Sequence, residues 1–141
     1  MIRERVVING RVHLYRWTLL SCRWFQVVIH NFISDDPPDL HDHAWWNVSI
    51  VLWGRLKETT YKRVPWAALP AYSSRYLRAG SVRIRSSTQL HRLSLVDGKP
   101  AWTLFITGPV QRDWGYDTES GWIPWKRYPV RHNTLRRKNV K

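Results

Sequence analysis

The feature that most constrains this chain is what it lacks: no segment repeats apolar residues at helical spacing for as many as three turns. Strand-like runs occur instead, at Arg5–Ile8, Val12–Leu20, Trp24–Ile33, Val48–Trp53, Arg55–Lys62, Ser81–Arg85, Arg92–Val96 and Ala101–Thr107. They are rich in Val, Ile, Thr and aromatic residues, which suit a pleated, half-buried surface. Asn9-Gly10, Asp35-Asp36-Pro37-Pro38, Asp97-Gly98-Lys99-Pro100 and Gly108-Pro109 break them, because glycine admits positive φ and proline removes a ladder donor. Short strands with turns about every 8 to 12 residues predict an all-β sandwich or barrel of the jelly-roll kind. The stretch Val64–Tyr72 reads as a loop between halves, and Trp114–Trp125 as an aromatic flap or edge hairpin.

A chain of 141 residues has room for one core, and 43% apolar content is enough to fill it. Ten tryptophans are present, and most are expected in that core, since each hides about 150–250 Å². A lone cysteine, Cys22, excludes an internal disulfide and fits a reducing cytoplasm. No apolar run reaches 18 residues, so a soluble protein that does not cross a membrane is expected.

The formal charge of +13 is unevenly spread. Residues 126–141 hold seven basic and no acidic residues, while residues 1–125 hold 16 basic and 10 acidic ones. This predicts a barrel over residues 1–128 and a flexible basic tail over 129–141. Such a tail is either a solvated terminus or a contact for nucleic acid or another acidic partner.

The histidines carry the chemistry. His41-Asp42-His43 puts two imidazoles at i and i+2, which share a face on a strand and can grip one ion together. His91 lies on a later run. Three imidazoles leave positions open on a metal, as a reactive centre needs, and by ligand type alone suit Fe, Ni, Zn or Cu. Strand parity turns Trp45, Asn47, Ser49, Val51 and Trp53 to the same side, setting Asn47 near the ion, where it can orient a bound water. Asp39 is a reserve carboxylate or a turn residue. Arg83 and Arg85 either face solvent or line the mouth and attract an anion. Trp45, Trp53, Tyr61, Trp102 and Trp114 are candidates for a pocket wall.

Spacing adds a resemblance. The string from His41 reads H-x-H-x3-N-x6-G through Asn47 to Gly54, and Gly80 precedes His91 by eleven positions. Over roughly residues 12–110 the sequence thus resembles the cupin superfamily, with Asn47 where most members have a ligating Glu. Ser86, Thr88 and Leu95 depart from the second motif. Within the superfamily, His41-Asp42-His43, Gly54–Thr59, Leu90-His91-Arg92 and Ala101–Pro109 are similar to the HDH, GxLKET, LHR and AxSLHxYSPP strings of thiol dioxygenases of the cysteine dioxygenase type. The resemblance implies a single-domain cupin jelly-roll barrel, Fe(II) on His41, His43 and His91, and an oxygenase reaction on a small anionic substrate. It also implies Arg16 as the carboxylate-binding arginine, and a homodimer. The family's Ser, His and Tyr fall at Thr103, Phe105 and Thr107, none of which titrates near neutrality.

Phosphate-cradling glycine motifs, C-x-x-C and the H-x-E deaminase signature are all absent from the sequence. A non-catalytic binding module, with the tail on nucleic acid, is the alternative function, and a metal-dependent isomerase or decarboxylase a third.

Overall fold

The computed structural model describes residues 1–62 and 71–136. Among these residues thirteen strands, all paired antiparallel, form two sheets. Sheet A is seven-stranded, in the order β13 (His132–Arg136), β1 (Ile2–Ile8), β2 (Arg11–Ser21), β3 (Gln26–Phe32), β10 (Ala101–Thr107), β5 (Asn47–Trp53) and β8 (Val82–Arg85). Sheet B is six-stranded, in the order β12 (Gly121–Pro124), β11 (Gly115–Thr118), β4 (Leu40–His41), β9 (His91–Leu95), β6 (Arg55–Lys62) and β7 (Ala71–Arg78). Successive strands that cross between the sheets make this a jelly roll. Among the described residues no helix is long and apolar enough to cross a membrane.

Each predicted run is a strand, and Arg55–Lys62 and Ala101–Thr107 have the predicted bounds. The two-residue β4 escapes the pattern because it is too short to alternate. Of the expected loop Val64–Tyr72, residues 64–70 lie outside the described residues, while Ala71 and Tyr72 open β7. Strand β7 has only one buried residue, Leu77, and so no apolar run to announce it. The stretch from Trp114 is the expected edge hairpin, β11 with β12. Pairing continues past the expected boundary after residue 128, because residues 132–136 are β13, held along β1 from Ile8↔His132 to Glu4↔Arg136. Residues 137–141 lie outside the described residues.

The chain passes from sheet A to sheet B at Gly54, between β5 and β6. Its φ is +82°, and a Cβ there would lie 2.7 Å from the Pro100 carbonyl oxygen and 2.9 Å from Ala101 Cα. Only glycine fits so close an approach in this conformation. Beside it packs the apolar core of Leu14, Phe32, Val51, Leu56, Leu77, Leu93 and Ala101.

Parity holds along β5 for Asn47, Ser49 and Val51, all buried and inward, and fails at Trp53, which is 61% exposed. A register shift at Trp102/Thr103 leaves Leu52 out of the ladder, which turns Trp53 outward. The tryptophans also depart from expectation: among the described residues none is fully buried. The interior they would fill holds hydrogen-bonded polar side chains instead, Glu58 and Arg85 among them.

The outer face of sheet A is unusual. Strands β5, β8 and β10 point Asn47, Ser49, Arg85, Thr103 and Thr107 inward, all buried. Their outward positions are Val48, Ile50, Val82, Ile84, Leu104 and Ile106, which face one another across the ladder. Ile84 is 74% and Val82 53% exposed.

Candidate metal centre

Two adjacent strands, β4 and β9, and the segment just after β4 deliver the histidines. His41 closes β4 and pairs directly with His91 on β9, so the two rings meet across one ladder, with centroids 4.8 Å apart. His43 follows two residues later, off the strand. Asp42 between them points away and is pinned: Oδ1 accepts from the Gly115 amide at 2.8 Å, Oδ2 from Trp122 Nε1 at 2.9 Å, and Arg112 pairs with it at 2.7 Å. Those bonds give the middle residue its own role and set both flanking imidazoles toward the interior. Trp45 stacks on the His43 ring at 5.3 Å and 13°.

The result is a cluster in which one nitrogen from each of His41, His43 and His91 lies within 4.8 Å of the others. His43 Nε2 and His91 Nε2 are only 2.9 Å apart. Two nitrogens each about 2.1 Å from one ion, at right angles, sit about 3.0 Å apart, so this spacing fits a shared metal. Burial, chiefly, pushes His41 down to about 3, against the pull of Asp36. Burial and then the neighbouring imidazoles lower His43, and burial lowers His91 against its bond to Glu58. All three rings are therefore neutral near pH 7, the form that donates a lone pair to a metal.

A second layer of charge holds this cluster, and sequence reasoning missed most of it. Glu58 on β6 is fully buried and accepts from His91 Nδ1 at 2.9 Å, Arg83 Nε at 2.7 Å and Arg85 Nε at 2.8 Å. Burial raises its pKa, but the His91 hydrogen bond and the Arg85 charge outweigh it and hold the carboxyl below the usual range. Ionised Glu58 keeps the His91 proton on Nδ1, which turns the Nε2 lone pair to the cluster. The GxLKET resemblance contained Glu58 without revealing its role, because a lone acid in a β-run reads as a solvent-facing residue.

Asp36 is the other hidden carboxylate. Its Oδ1 accepts from His13 Nε2 at 3.0 Å and its Oδ2 from the Leu93 amide at 2.7 Å, and Oδ2 lies 4.0 Å from His41 Nδ1. Burial raises its pKa, and His13 and the other imidazoles more than reverse this, so it too is ionised.

The remaining candidates are placed as follows. Asn47 is buried, with Oδ1 accepting from Arg85 Nη1 at 3.2 Å; among the described residues its Nδ2 has no partner. It braces Arg85 and is not among the residues lining the cavity. Arg16 reaches the cavity, but Nε and Nη2 both bond Glu4, which also takes Arg136 Nε at 3.2 Å. Asp39 is not part of the histidine cluster, and its Oδ2 accepts from Tyr128 at 2.9 Å. Arg83 and Arg85 neither face solvent nor stand free at a mouth; both are engaged by Glu58, and Arg85 is 1% exposed. In the basic C-terminal segment, Lys126 lies 5.6 Å over Trp125 and Arg136 is paired with Glu4, while Arg137, Lys138 and Lys141 lie outside the described residues.

The three histidines open on a cavity of about 550 Å³ between the sheets. Trp45 and Trp114 wall it as expected; Trp53 and Trp102 lie on the outer face of sheet A, and Tyr61 instead bonds Asp117. Phe105 lines the cavity with its centroid 6.1 Å from His43.

No protein-family model and no curated protein matches the sequence. Solved structures do. A cupin superfamily protein from Desulfitobacterium hafniense is 12% identical with a TM-score of 0.52, over 68% of this chain and 77% of that one. An uncharacterized double-stranded β-helix protein from Klebsiella pneumoniae is 15% identical with a TM-score of 0.53, over 74% and 84%. Fe(II)-HppE with the alternative substrate (S)-1-HPP is 13% identical with a TM-score of 0.53, over 70% of this chain and 51% of that one. Together with the two antiparallel sheets, these neighbours identify the fold: the chain has the cupin-type fold, a double-stranded β-helix with a three-histidine cluster inside it.

Proposed function

We propose that the protein is a mononuclear metal enzyme of the oxygenase type, holding Fe(II) on His41, His43 and His91 and acting on a small anionic substrate in the adjoining cavity. The observation that carries this is the 2.9 Å approach of the His43 and His91 Nε2 atoms beside a cavity of about 550 Å³. Iron is favoured over Ni, Zn or Cu by the resemblance to three-histidine thiol dioxygenases and by the Fe(II)-HppE neighbour. Bound there, the ion supplies Lewis acidity and dioxygen binding at the positions three imidazoles leave open.

The chain's own residues do the rest. Glu58 fixes the His91 tautomer, Asp42 fixes the turn between His41 and His43, and Trp45 holds the His43 ring. Phe105 and Trp114 give the cavity part of its apolar wall. Arg85 and Arg16 line it as members of two clusters, Glu58 with Arg83 and Arg85, and Glu4 with Arg16 and Arg136. Each has one carboxylate against two guanidiniums, an excess of positive charge that favours an anion. With Thr103, Phe105 and Thr107 in place of the family's proton-handling groups, cysteine is not the expected substrate.

Metal analysis of the protein purified without added metal tests this. Near-stoichiometric iron is expected, with loss of the metal in His91→Ala, and oxygen uptake is expected with one of a panel of small thiols and acids. Iron-free protein, or unchanged metal in His91→Ala, would sink the reading.

We also propose that two copies pair through the outer face of sheet A, whose outward residues are apolar where its inward ones are polar. Ile29 on β3 and Trp17 on β2 continue the register of Leu104, so from β2 to β8 this face spans five strands and about three alternate positions, roughly 500 Å² per copy at a strand spacing of about 4.8 Å. Two such faces supply about the 1,000 Å² that a specific interface needs. Sedimentation should show a dimer, and Val82→Lys with Ile84→Lys a monomer that retains its metal. A monomeric parent protein would end this idea.

A further inference from the structure

His30 has no role in the metal cluster, yet it lines the same cavity. It lies on the inward side of β3, between Arg16 on β2 and Thr103 on β10. Its ring packs on Phe105, with centroids 5.0 Å apart, and against Phe32 at 5.6 Å. Phe105 in turn lies 6.1 Å from His43, so the order through the cavity is metal cluster, Phe105, His30. Protein surrounds the imidazole, and the accessible part of its surface opens on the cavity.

Among the described residues neither ring nitrogen of His30 has a hydrogen-bond partner. Every other histidine in them has a ring hydrogen bond or belongs to the metal cluster. Burial, first, and the Arg16 charge after it, push His30 down to about 3, so the ring is neutral. A neutral imidazole offers one donor and one acceptor. Both face the cavity rather than a protein partner, so a molecule bound there can meet them.

Phe105 and Trp45 line the cavity between the cluster and His30, their rings in edge contact with centroids 5.7 Å apart. Aromatic side chains favour an aromatic ring as a partner. We propose that His30 is a substrate-contacting, specificity-determining residue: it hydrogen-bonds a hydroxyl on the far end of an aromatic acid whose carboxylate sits at the three histidines. This rests on the metal site proposed above and names the substrate class for it. It also places an imidazole in the cavity of a chain that has Phe105 where the related family has its histidine; here β3 carries the ring instead of β10.

Titration calorimetry of zinc-loaded protein tests this with two pairs of probes of different length, benzoate with 4-hydroxybenzoate and 2-naphthoate with 6-hydroxy-2-naphthoate. In the parent protein the hydroxylated member of at least one pair should bind about tenfold more tightly than its partner, the worth of one buried hydrogen bond. His30→Leu should erase that advantage while the parent acid binds as well as before and the zinc content stays unchanged. His30→Gln, which keeps a donor and an acceptor, should preserve part of it, and it serves alone if the leucine variant does not fold. The proposal is overturned if neither pair shows an advantage in the parent protein, or if the advantage survives in His30→Leu. Equal binding of benzoate with and without zinc would count against the metal-site reading instead, leaving the hydroxyl difference to judge His30.

Discussion

Glu58 and His91 face each other diagonally across the β6–β9 ladder, with Oε2 2.9 Å from Nδ1 and both side chains buried. The same carboxylate binds Arg83 and Arg85, so one residue sets the tautomer of an imidazole in the three-histidine cluster and neutralises a buried guanidinium. Glu58→Gln should therefore weaken metal binding by about 10- to 100-fold, the usual cost of losing such a support. It should also destabilise the metal-free protein by about 3 kcal/mol, because Arg85 loses its counter-charge. Chelator competition reads the first effect and urea unfolding the second; parental metal affinity would refute the positioning role.

Metal binding should stabilise the fold. A ligand at 100 times its Kd contributes about 2.7 kcal/mol, provided the unfolded chain binds it weakly. Adding Fe(II) anaerobically, or Zn(II), to metal-stripped protein should raise Tm by several degrees, with no response in a His41→Ala, His43→Ala double variant. An equal rise in that variant would show that the ion binds elsewhere.

Gly54→Ala tests the crossing between the sheets. The new methyl would sit 2.7 Å from the Pro100 carbonyl oxygen, and the residue would have to hold a φ of +82°. A cost of at least about 2 kcal/mol is expected in chemical denaturation, from left-handed backbone strain plus the clash. Gly98→Ala, whose φ is +65° with open space around the Cβ, should cost less.

Stability should depend on acid pH through Glu4. Burial raises its pKa, but Arg16 and then Arg136 outweigh burial and hold it below the ordinary 4.5. The folded protein thus binds this proton more weakly than the unfolded chain. The stabilisation is fully present above the ordinary value and lost as pH falls through the lowered folded one. Glu4→Gln should be less stable than the parent at pH 7, and the gap should close on acidification below about pH 4.5. A gap of constant size from pH 7 to pH 3 would contradict this account.

Much of the fold was legible because its signals are local. Turn formers and β-branched runs placed the strands from Arg5–Ile8 to Ala101–Thr107, since steric preferences act within a few residues. The H-x-H string pointed to the cluster through the expectation that i and i+2 share a strand face; in the structure β4 ends at His41, and His43 reaches the cluster from beyond it. Strand β13 was not legible, because a basic segment without alternation, such as His132–Arg136, becomes a strand only when the β1 edge offers it hydrogen bonds. Nor was the outward turn of Trp53, which depends on a register shift across from Trp102.

The sequence by itself determined the all-β architecture, the turns and the histidine constellation, each a matter of short-range sterics and residue chemistry. Only the tertiary structure decided which charges serve them. Glu58 lies 33 positions from His91, and His13 lies 23 from Asp36; their pairing follows from how the two sheets register and pack. The same packing left His30 facing a cavity without a partner and turned the apolar side of β5, β8 and β10 outward. Burial makes such contacts strong because it removes water's competition, and burial is a property of the folded sandwich that no local pattern encodes.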